Sequence, residues 1–348
     1  MKLRRLSLVI DHFIDSDKQV MSSVDLQHGL TADDLQAGRI EQGEGTTLSS
    51  LTHAFREDGF VVFPRSISGD VVNTLQQRLE DVLRGKYDRG TPPDKAPALI
   101  VDSKKAGRRK LGPLGYDGKT TKHNRVLQII NIHKCDNEFQ KLATQEAIGE
   151  MVAKLAGWEH GARLAQDQVW AKTPGSPPLV FHRDSPYFMF TPDDVVTVWI
   201  ALDDMDQELG PLEYVRGSHL WGDGRVGSSS SFFQSDSRNL LYSAAAREGI
   251  ENAESCLEII SLGGLSAGGL SIHHGKTWHG SGRNTSADRP RRGLGLHFVP
   301  AEVEFIKVDA KKSKLWRKYV AEENDDDSST INVPDDDFPL VWAPQLER

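Results

Sequence analysis

A chain of 348 residues that is 38% apolar is long enough for one large domain or two ordinary ones, and it can bury a real core. Its net charge of −8 gives no footing to a polyanionic partner such as nucleic acid, and its two cysteines, Cys135 and Cys256, lack the spacing of a disulfide framework or a thiolate metal site. No stretch reaches the length of a membrane span, and the short apolar run Leu6 to Ile10 is followed at once by Asp11, Asp15 and Asp17, unlike a signal or transit peptide, so a cytoplasmic protein without a membrane partner is expected.

Residues 1–46 read as a polar, loosely packed extension. A helix is expected over Leu48 to Glu57, ending before Asp58-Gly59, and the apolar run Phe60 to Phe63 reads as a buried strand. Ser68 can cap the next helix, in which Val71, Val72, Leu75, Leu79, Val82 and Leu83 recur at helical spacing until Gly85. Residues 86–124 are loop-like and carry a basic run from Lys104 to Lys110. A weak strand over Val126 to Ile132 and one helix over Phe139 to Leu155 follow.

After Gly157 short strands separated by Gly, Pro and Asp take over, as in an antiparallel barrel or sandwich. The candidates are Ala162 to Ala171, Leu179 to Asp184, Val195 to Leu202, Pro211 to Val215, Leu257 to Ser261, Gly269 to His274 and Arg291 to Val299. The fold class is therefore mainly β with flanking helices. An insertion at 221–254, with Ser228 to Ser231 and Phe232-Phe233, is read as a lid. The domain is drawn over 47–310. Residues 311–348 form an acidic tail, in which Asp325 to Asp327 and Asp335 to Asp337 point to a solvated segment.

Two stretches carry the chemistry. In Phe181-His182-Arg183-Asp184-Ser185-Pro186-Tyr187, an extended backbone would turn His182 and Asp184 to one face and Arg183 away. An imidazole and a carboxylate are two thirds of the set that holds non-heme Fe(II) with positions left open. The second stretch, Thr277-Trp278-His279-Gly280-Ser281-Gly282, offers a third ligand, although residue type alone leaves His273 and His274 as rivals of His279. Beyond it, Arg291, Gly293, Gly295 and His297 share one face of a strand, and Leu294, Leu296 and Phe298 the other. An arginine beside glycines has room for a small carboxylate in a bidentate pair. A surface role for Arg291 stays open on that evidence, and is the simpler reading for Arg292.

Asp58-Gly59-Phe60-Val61-Val62, His182-Arg183-Asp184, Gly210 to His219, and His279-Gly280-Ser281-Gly282-Arg283-Asn284-Thr285-Ser286 with Arg291 beyond stand in an order and spacing that resemble the phytanoyl-CoA dioxygenase family of Fe(II)- and 2-oxoglutarate-dependent oxygenases. The resemblance spans residues 50 to 300. It implies a double-stranded β-helix, a cupin-like jelly roll. It implies His182, Asp184 and His279 as catalytic iron ligands, and Arg291 as the residue that binds the far carboxylate of 2-oxoglutarate. The His-to-Arg interval is one residue longer than is common, so Arg289 and Arg292 stay open. Lys172 and Trp199 match co-substrate contacts. Gln166 and Gln168 fall near where the related ectoine hydroxylases hold substrate, and Tyr187 is a candidate for the substrate wall.

The function so implied is hydroxylation of an aliphatic C–H bond of a small molecule, using Fe(II), 2-oxoglutarate and O₂ with ascorbate as reductant, and releasing succinate and CO₂. Related halogenases carry a small residue where Asp184 stands, which favours hydroxylation here. Two other classes remain: a non-catalytic jelly-roll binding protein, and a cupin-type metalloenzyme that does not use 2-oxoglutarate. No residue selects a substrate or an oligomeric state.

Overall fold

Thr47 is extended at φ −66°, ψ 152°, and its side chain accepts a hydrogen bond from the Ser50 amide. That cap starts the first long helix of the structure, a computed structural model that describes residues 24–26, 28–36, 47–97, 112–116, 126–222, 237–320 and 328–345. Short α1 (Ala32–Gln36) precedes it, and α2 (Leu48–Asp58) ends at Gly59, where φ is 86°. β1 (Phe60–Phe63) is buried on both faces. Helix α3 (Gly69–Leu83) buries Val72, Leu75, Leu79, Val82 and Leu83, as its periodicity predicts.

After β2 (Val126–Ile130) the single helix expected over Phe139 to Leu155 is two, α4 (Asn137–Ala143) and α5 (Glu146–Ala156). Asp136 caps the first through the Glu138 and Phe139 amides. Thr144, whose hydroxyl donates back to the Gln140 carbonyl, breaks the pair. Next come β3 (Ala162–Lys172), β4 (Leu179–His182), β5 (Phe190–Thr191), β6 (Val196–Ala201) and β7 (Leu212–Val215). Helices α6 (Asn239–Arg247) and α7 (Ala253–Cys256) lead to β8 (Ile259–Ser261), β9 (Leu270–His274), β10 (His279–Ser281), β11 (Arg291–Pro300) and β12 (Glu304–Ile306). The chain finishes with α8 (Lys307–Lys312), β13 (Thr330–Asn332) and β14 (Leu340–Trp342).

The strands pair antiparallel. The large sheet runs β1-β9-β6-β11-β3, with β2 and β14 along the far edge of β3 at its two ends. The small sheet runs β4-β10-β7-β8. From β3 to β11 the chain keeps crossing between the two, which is the double-stranded β-helix that the family resemblance implies. Its outer large face carries Val169, Val198, Ile200, Ile272, Leu294 and Leu296 against α2 to α5. Each such side chain contributes roughly 1.5–3 kcal/mol of burial. A bulge at Ala165 shifts the register from His297 opposite Gln166 to Phe298 opposite Leu164. It keeps Leu164 and Val169 on the same outer core although their spacing is odd.

Three expectations change. The extension is partly packed: Leu30 bridges to Val62, and Ala32 is fully buried. The described end of the chain is no solvated tail. β13 pairs with β12, β14 pairs with β3, and Trp316, Val320 and Phe338 are buried around Phe190 and Phe305. Asp335 and Asp337 reach Arg163 and Lys134, so the acidic run is tied down by ion pairs at the edge of apolar anchors. In the insertion, Leu241 and Ala244 of α6 pack with Phe181 and Trp278 behind the small sheet. No described residue of 221–254 lines the cavity between the sheets. The stretches 223–236, 104–110 and 321–327, which hold the serine run, the basic run and Asp325 to Asp327, lie outside the described residues. Among the described residues no helix is long and apolar enough to cross a membrane.

Candidate active site

The two sheets enclose a cavity of about 960 Å³ lined by His182, Asp184, His279 and Arg291. β10 places His279 directly opposite His182 on β4. Asp184 arrives by a different route from the one expected. β4 stops at His182, and Asp184 has αR backbone (φ −81°, ψ −45°) at the head of a one-turn 3₁₀ helix, Ser185–Tyr187. The amides of Asp184 and Ser185 both donate to the Gly275 carbonyl, at 2.8 and 3.0 Å. A Cβ on Gly275 would meet Ser185 Oγ at 2.5 Å and Val195 at 2.8 Å, so only glycine permits this approach. A turn, not strand alternation, joins the carboxylate to the imidazoles.

His182 Nε2 and His279 Nε2 lie 3.6 and 3.7 Å from Asp184 Oδ1. Among the described residues these three form the group able to hold a metal ion, with ligand atoms within 4.8 Å of one another. Each histidine donates Nδ1–H to a carbonyl two residues back, His182 to Val180 at 2.9 Å and His279 to Thr277 at 3.0 Å. Both Nε2 lone pairs therefore face the shared space. Burial depresses both imidazoles to about 4, so they are neutral near pH 7. Burial pushes the Asp184 carboxyl upward, but His279, His273 and His297 more than reverse this and hold it well below the usual range. The donor set thus stands ready for a divalent cation.

The far oxygen, Asp184 Oδ2, is fixed by two donors: Thr197 Oγ1 at 2.7 Å and His273 Nε2 at 3.2 Å. Behind His273, Tyr214 OH lies 2.9 Å from Nδ1 and 2.7 Å from Ser271 Oγ. Behind Thr197 runs a longer line. The threonine proton is spent on Asp184, so His297 Nδ1 donates to Thr197 Oγ1 at 2.8 Å and its Nε2 accepts from Gln168 at 3.3 Å. Gln168 accepts from Gln128 at 2.9 Å, and Gln128 from Lys95 at 2.7 Å. Every link donates toward the carboxylate. His273 is therefore a support of Asp184, and His274 faces away toward Asp194. Of the three histidines, only His279 joins the group able to hold a metal ion among the described residues.

Arg291 is 1% exposed, and its Nε and Nη2 have no hydrogen-bond partner. Its guanidinium lies 5.1 Å from the Trp199 ring centroid. A Cβ on Gly293 would strike that indole at 2.6 Å, so the glycine makes room for it. Burial lowers Arg291 to about 10, leaving it charged at neutral pH. Arg292, by contrast, is paired with Asp203, its Nε 2.9 Å from Oδ2, and Arg289 is paired with Asp206 and Glu208. Of the three arginines only Arg291 lines the cavity, with unmet donors.

Three side chains able to hold a metal thus lie beside an unmatched buried guanidinium between the sheets of a jelly roll. The profile of the phytanoyl-CoA dioxygenase (PhyH) family matches residues 55–293. The chain belongs to this family. A probable alpha-ketoglutarate-dependent hypophosphite dioxygenase from Stutzerimonas stutzeri is 29% identical over 190 residues, covering 53% of this chain and 60% of that protein's length. The multifunctional dioxygenase prhA of Penicillium brasilianum is 23% identical, covering 72% of this chain and 71% of that one. Among solved structures, the epimerase SnoN in complex with Fe³⁺, alpha-ketoglutarate and nogalamycin RO is 20% identical over 84% of this chain and 98% of its own, with a TM-score of 0.59. EctD from S. alaskensis, with 2-oxoglutarate and 5-hydroxyectoine, is 18% identical over 72% and 76%, with a TM-score of 0.50. These neighbours establish the shared fold.

The other residues singled out on the phytanoyl-CoA dioxygenase pattern separate in space. Trp199, Gln166, Gln168 and Tyr187 line the cavity. Lys172 does not. It sits opposite Arg291 in the β3–β11 register, and its amine donates to Ser281 Oγ at 3.2 Å and to the Gly282 carbonyl. Burial, then Arg291 and Arg283, lower it to about 6. Arg183, turned away from the cavity, is buried over the Trp278 ring at 5.7 Å. Sequence reasoning missed Thr197, Gln128 and the wall built by Ser313 to Trp316. The signal for the wall was Trp316, an aromatic in an otherwise charged stretch. Thr197 could have been read from its alternation with Trp199.

Proposed function

We propose that this protein is an Fe(II)- and 2-oxoglutarate-dependent dioxygenase that hydroxylates an aliphatic C–H bond of a small organic molecule. One observation carries the reading: Arg291, a fully buried cation with two unmet N–H donors, lines the same cavity as the three metal-competent ligands. A buried guanidinium without an anion is costly, and a planar carboxylate is the partner its fork fits. A cupin that used no dicarboxylate would have no need of it. When bound, Fe(II) and 2-oxoglutarate supply the oxidation of the C–H bond by O₂, with succinate and CO₂ as co-products.

The chain's own residues then have defined tasks. His182, Asp184 and His279 would hold the iron. Thr197 and His273 engage Oδ2 and so present Oδ1 to it. Arg291 takes the distal carboxylate, with Trp199 fixing the guanidinium plane. Hydroxylation is favoured over halogenation because Asp184 fills the ligand position that a halide would need. The relatives are named for several outcomes, epimerisation among them, so the position of the substrate C–H decides the product.

The test is succinate release in the presence of Fe(II), ascorbate and 2-oxoglutarate without added substrate, followed by a substrate screen for a gain of one oxygen by mass spectrometry. Wild type is expected to release succinate slowly, and Asp184→Ala to fall below a hundredth of that rate. Equal yields from the two proteins would remove the oxygenase reading.

A further inference from the structure

We infer that the substrate is a bulky, largely apolar organic molecule, uncharged in the part enclosed by the cavity, that presents a hydrogen-bond acceptor to the Gln166 amide. The inference rests on the oxygenase reading, which assigns Arg291 to 2-oxoglutarate.

Size is the first argument. A volume of about 960 Å³ is near the upper end of small-molecule sites, roughly 300–1,000 Å³. A five-carbon dicarboxylate fills a minor part of it. The remainder would leave a compact ion loose.

The second argument is the charge of the wall. Beyond the metal-binding end, Ile130, Trp170, Leu179, Phe188 and Leu212 line the cavity. Its other charged linings are exposed or already paired. Lys95 donates to Gln128, Asp94 meets Lys134 and Lys318, and Lys312 pairs with Asp309. Lys314 is exposed at the wall formed by the C-terminal segment. With Arg291 taken by the co-substrate, a charged group enclosed here would find no buried counter-ion, and an unpaired buried charge is strongly disfavoured.

The third argument fixes a polar group. Gln166 is 2% exposed, and its Nε2 has no hydrogen-bond partner. Its Oε1 already accepts from Gln168 at 2.5 Å. The open group is therefore a donor, and the substrate atom that meets it is a carbonyl, hydroxyl or ether oxygen. The neighbouring Gln168 has both ends engaged, so it holds Gln166 in place.

The outer wall belongs to this chain more than to the family. Ser313, Lys314, Leu315 and Trp316 lie past residue 293, where the family match ends. Trp316 donates to the Tyr187 carbonyl at 2.8 Å and stands 5.6 Å from the Phe188 ring, which locks the segment onto the cavity rim.

The experiment uses the full chain loaded with Mn(II), a redox-inert stand-in, and 2-oxoglutarate. It is titrated with Nile red, a neutral polycycle bearing a ring carbonyl. Saturable, blue-shifted binding of one dye per chain is expected, with no displacement by millimolar phosphate or glycine betaine. Gln166→Met and Leu315→Trp are each expected to weaken the dye about tenfold. The affinity for 2-oxoglutarate, measured in the same samples, reports that the variants are folded. No saturable dye binding, displacement by either compact ion, or indifference to both substitutions would overturn the inference. Failure of wild type to bind 2-oxoglutarate would count instead against the oxygenase reading.

Discussion

Along β11, Leu294, Leu296 and Phe298 face the helices, while Arg291, Gly293, Gly295 and His297 face the opposite sheet. The same division runs through β6, with Val198 and Ile200 outside and Thr197 and Trp199 inside, and through β9, with Ile272 outside and Ser271 and His273 inside. Both faces are buried. They differ in how burial is reconciled with chemistry. The outer face is aliphatic, and its stability comes from area removed from water. The inner face buries histidines, glutamines, an aspartate, an arginine and a lysine, which is tolerable only where each polar atom finds a partner. Nearly all of them do, in two lines of donors that end on Asp184. The exceptions, Arg291 and Gln166, are the places where a ligand is wanted.

If the faces are specialised in this way, a change on one should leave the property of the other alone. Arg291→Leu is expected to weaken 2-oxoglutarate by about 100-fold, because a buried charge-assisted pair is lost. The same change should leave the melting temperature of the metal-free protein unchanged or higher, since an unpaired buried cation is removed. Leu296→Ala, further along the same strand and facing outward, should cost about 2–5 kcal/mol of stability through the cavity it leaves. At a temperature where it is folded, its 2-oxoglutarate affinity should stay within a factor of two. Calorimetric binding and thermal melts on both variants give the crossed comparison. A large affinity loss in both, or a large stability loss in both, would mean that the two faces act as one structural unit.

A smaller effect isolates the support of the Asp184 carboxylate. Thr197→Val keeps the shape of the side chain and removes the hydroxyl that donates to Asp184 Oδ2 at 2.7 Å. Changes of this kind at outer partners of metal ligands lower affinity about 10–100-fold. Mn(II) binding should fall within that range. His297→Phe should follow in the same direction by a lesser factor, since it acts one bond further out. If Thr197→Val binds Mn(II) as tightly as wild type, the second donor, His273, holds the carboxylate alone.

Much of this architecture is legible before any coordinates. The short strands expected after Gly157 all appear, because apolar runs bounded by Gly, Pro and Asp turns mark them. His182, Asp184, His279 and Arg291 are singled out by the family resemblance, since type and spacing leave His273, His274 and a surface role for Arg291 open. What the sequence hides is how they meet. His279 sits on β10, a strand of His-Gly-Ser too short and too glycine-rich to be read as one. Asp184 leaves the strand at a turn set by Gly275, ninety-one positions away, a contact that no local pattern encodes. The C-terminal segment is misread for a related reason. Its acidic runs dominate its composition, yet a few apolar anchors, Trp316 and Phe338 among them, decide where it packs.

The finest test concerns Lys172, the second buried basic side chain of the inner face, which stands opposite Arg291. Its amine is depressed from 10.5 to about 6 by burial and by the charge of Arg291 and Arg283. Between those values the folded chain holds one proton fewer than the unfolded chain, so this group's contribution to stability falls as pH drops toward 6. Binding a dicarboxylate should respond with the opposite sign. As pH falls through about 6 the amine charges, a second cation joins Arg291, and 2-oxoglutarate should bind roughly threefold to tenfold more tightly than at pH 8. His182 and His279 do not titrate until about 4, so they contribute little in this window. Lys172→Met should flatten the profile. Parallel pH profiles in the two proteins would place the amine outside the field that the dicarboxylate feels, and would leave Arg291 as the sole cation of the inner face that the co-substrate reads.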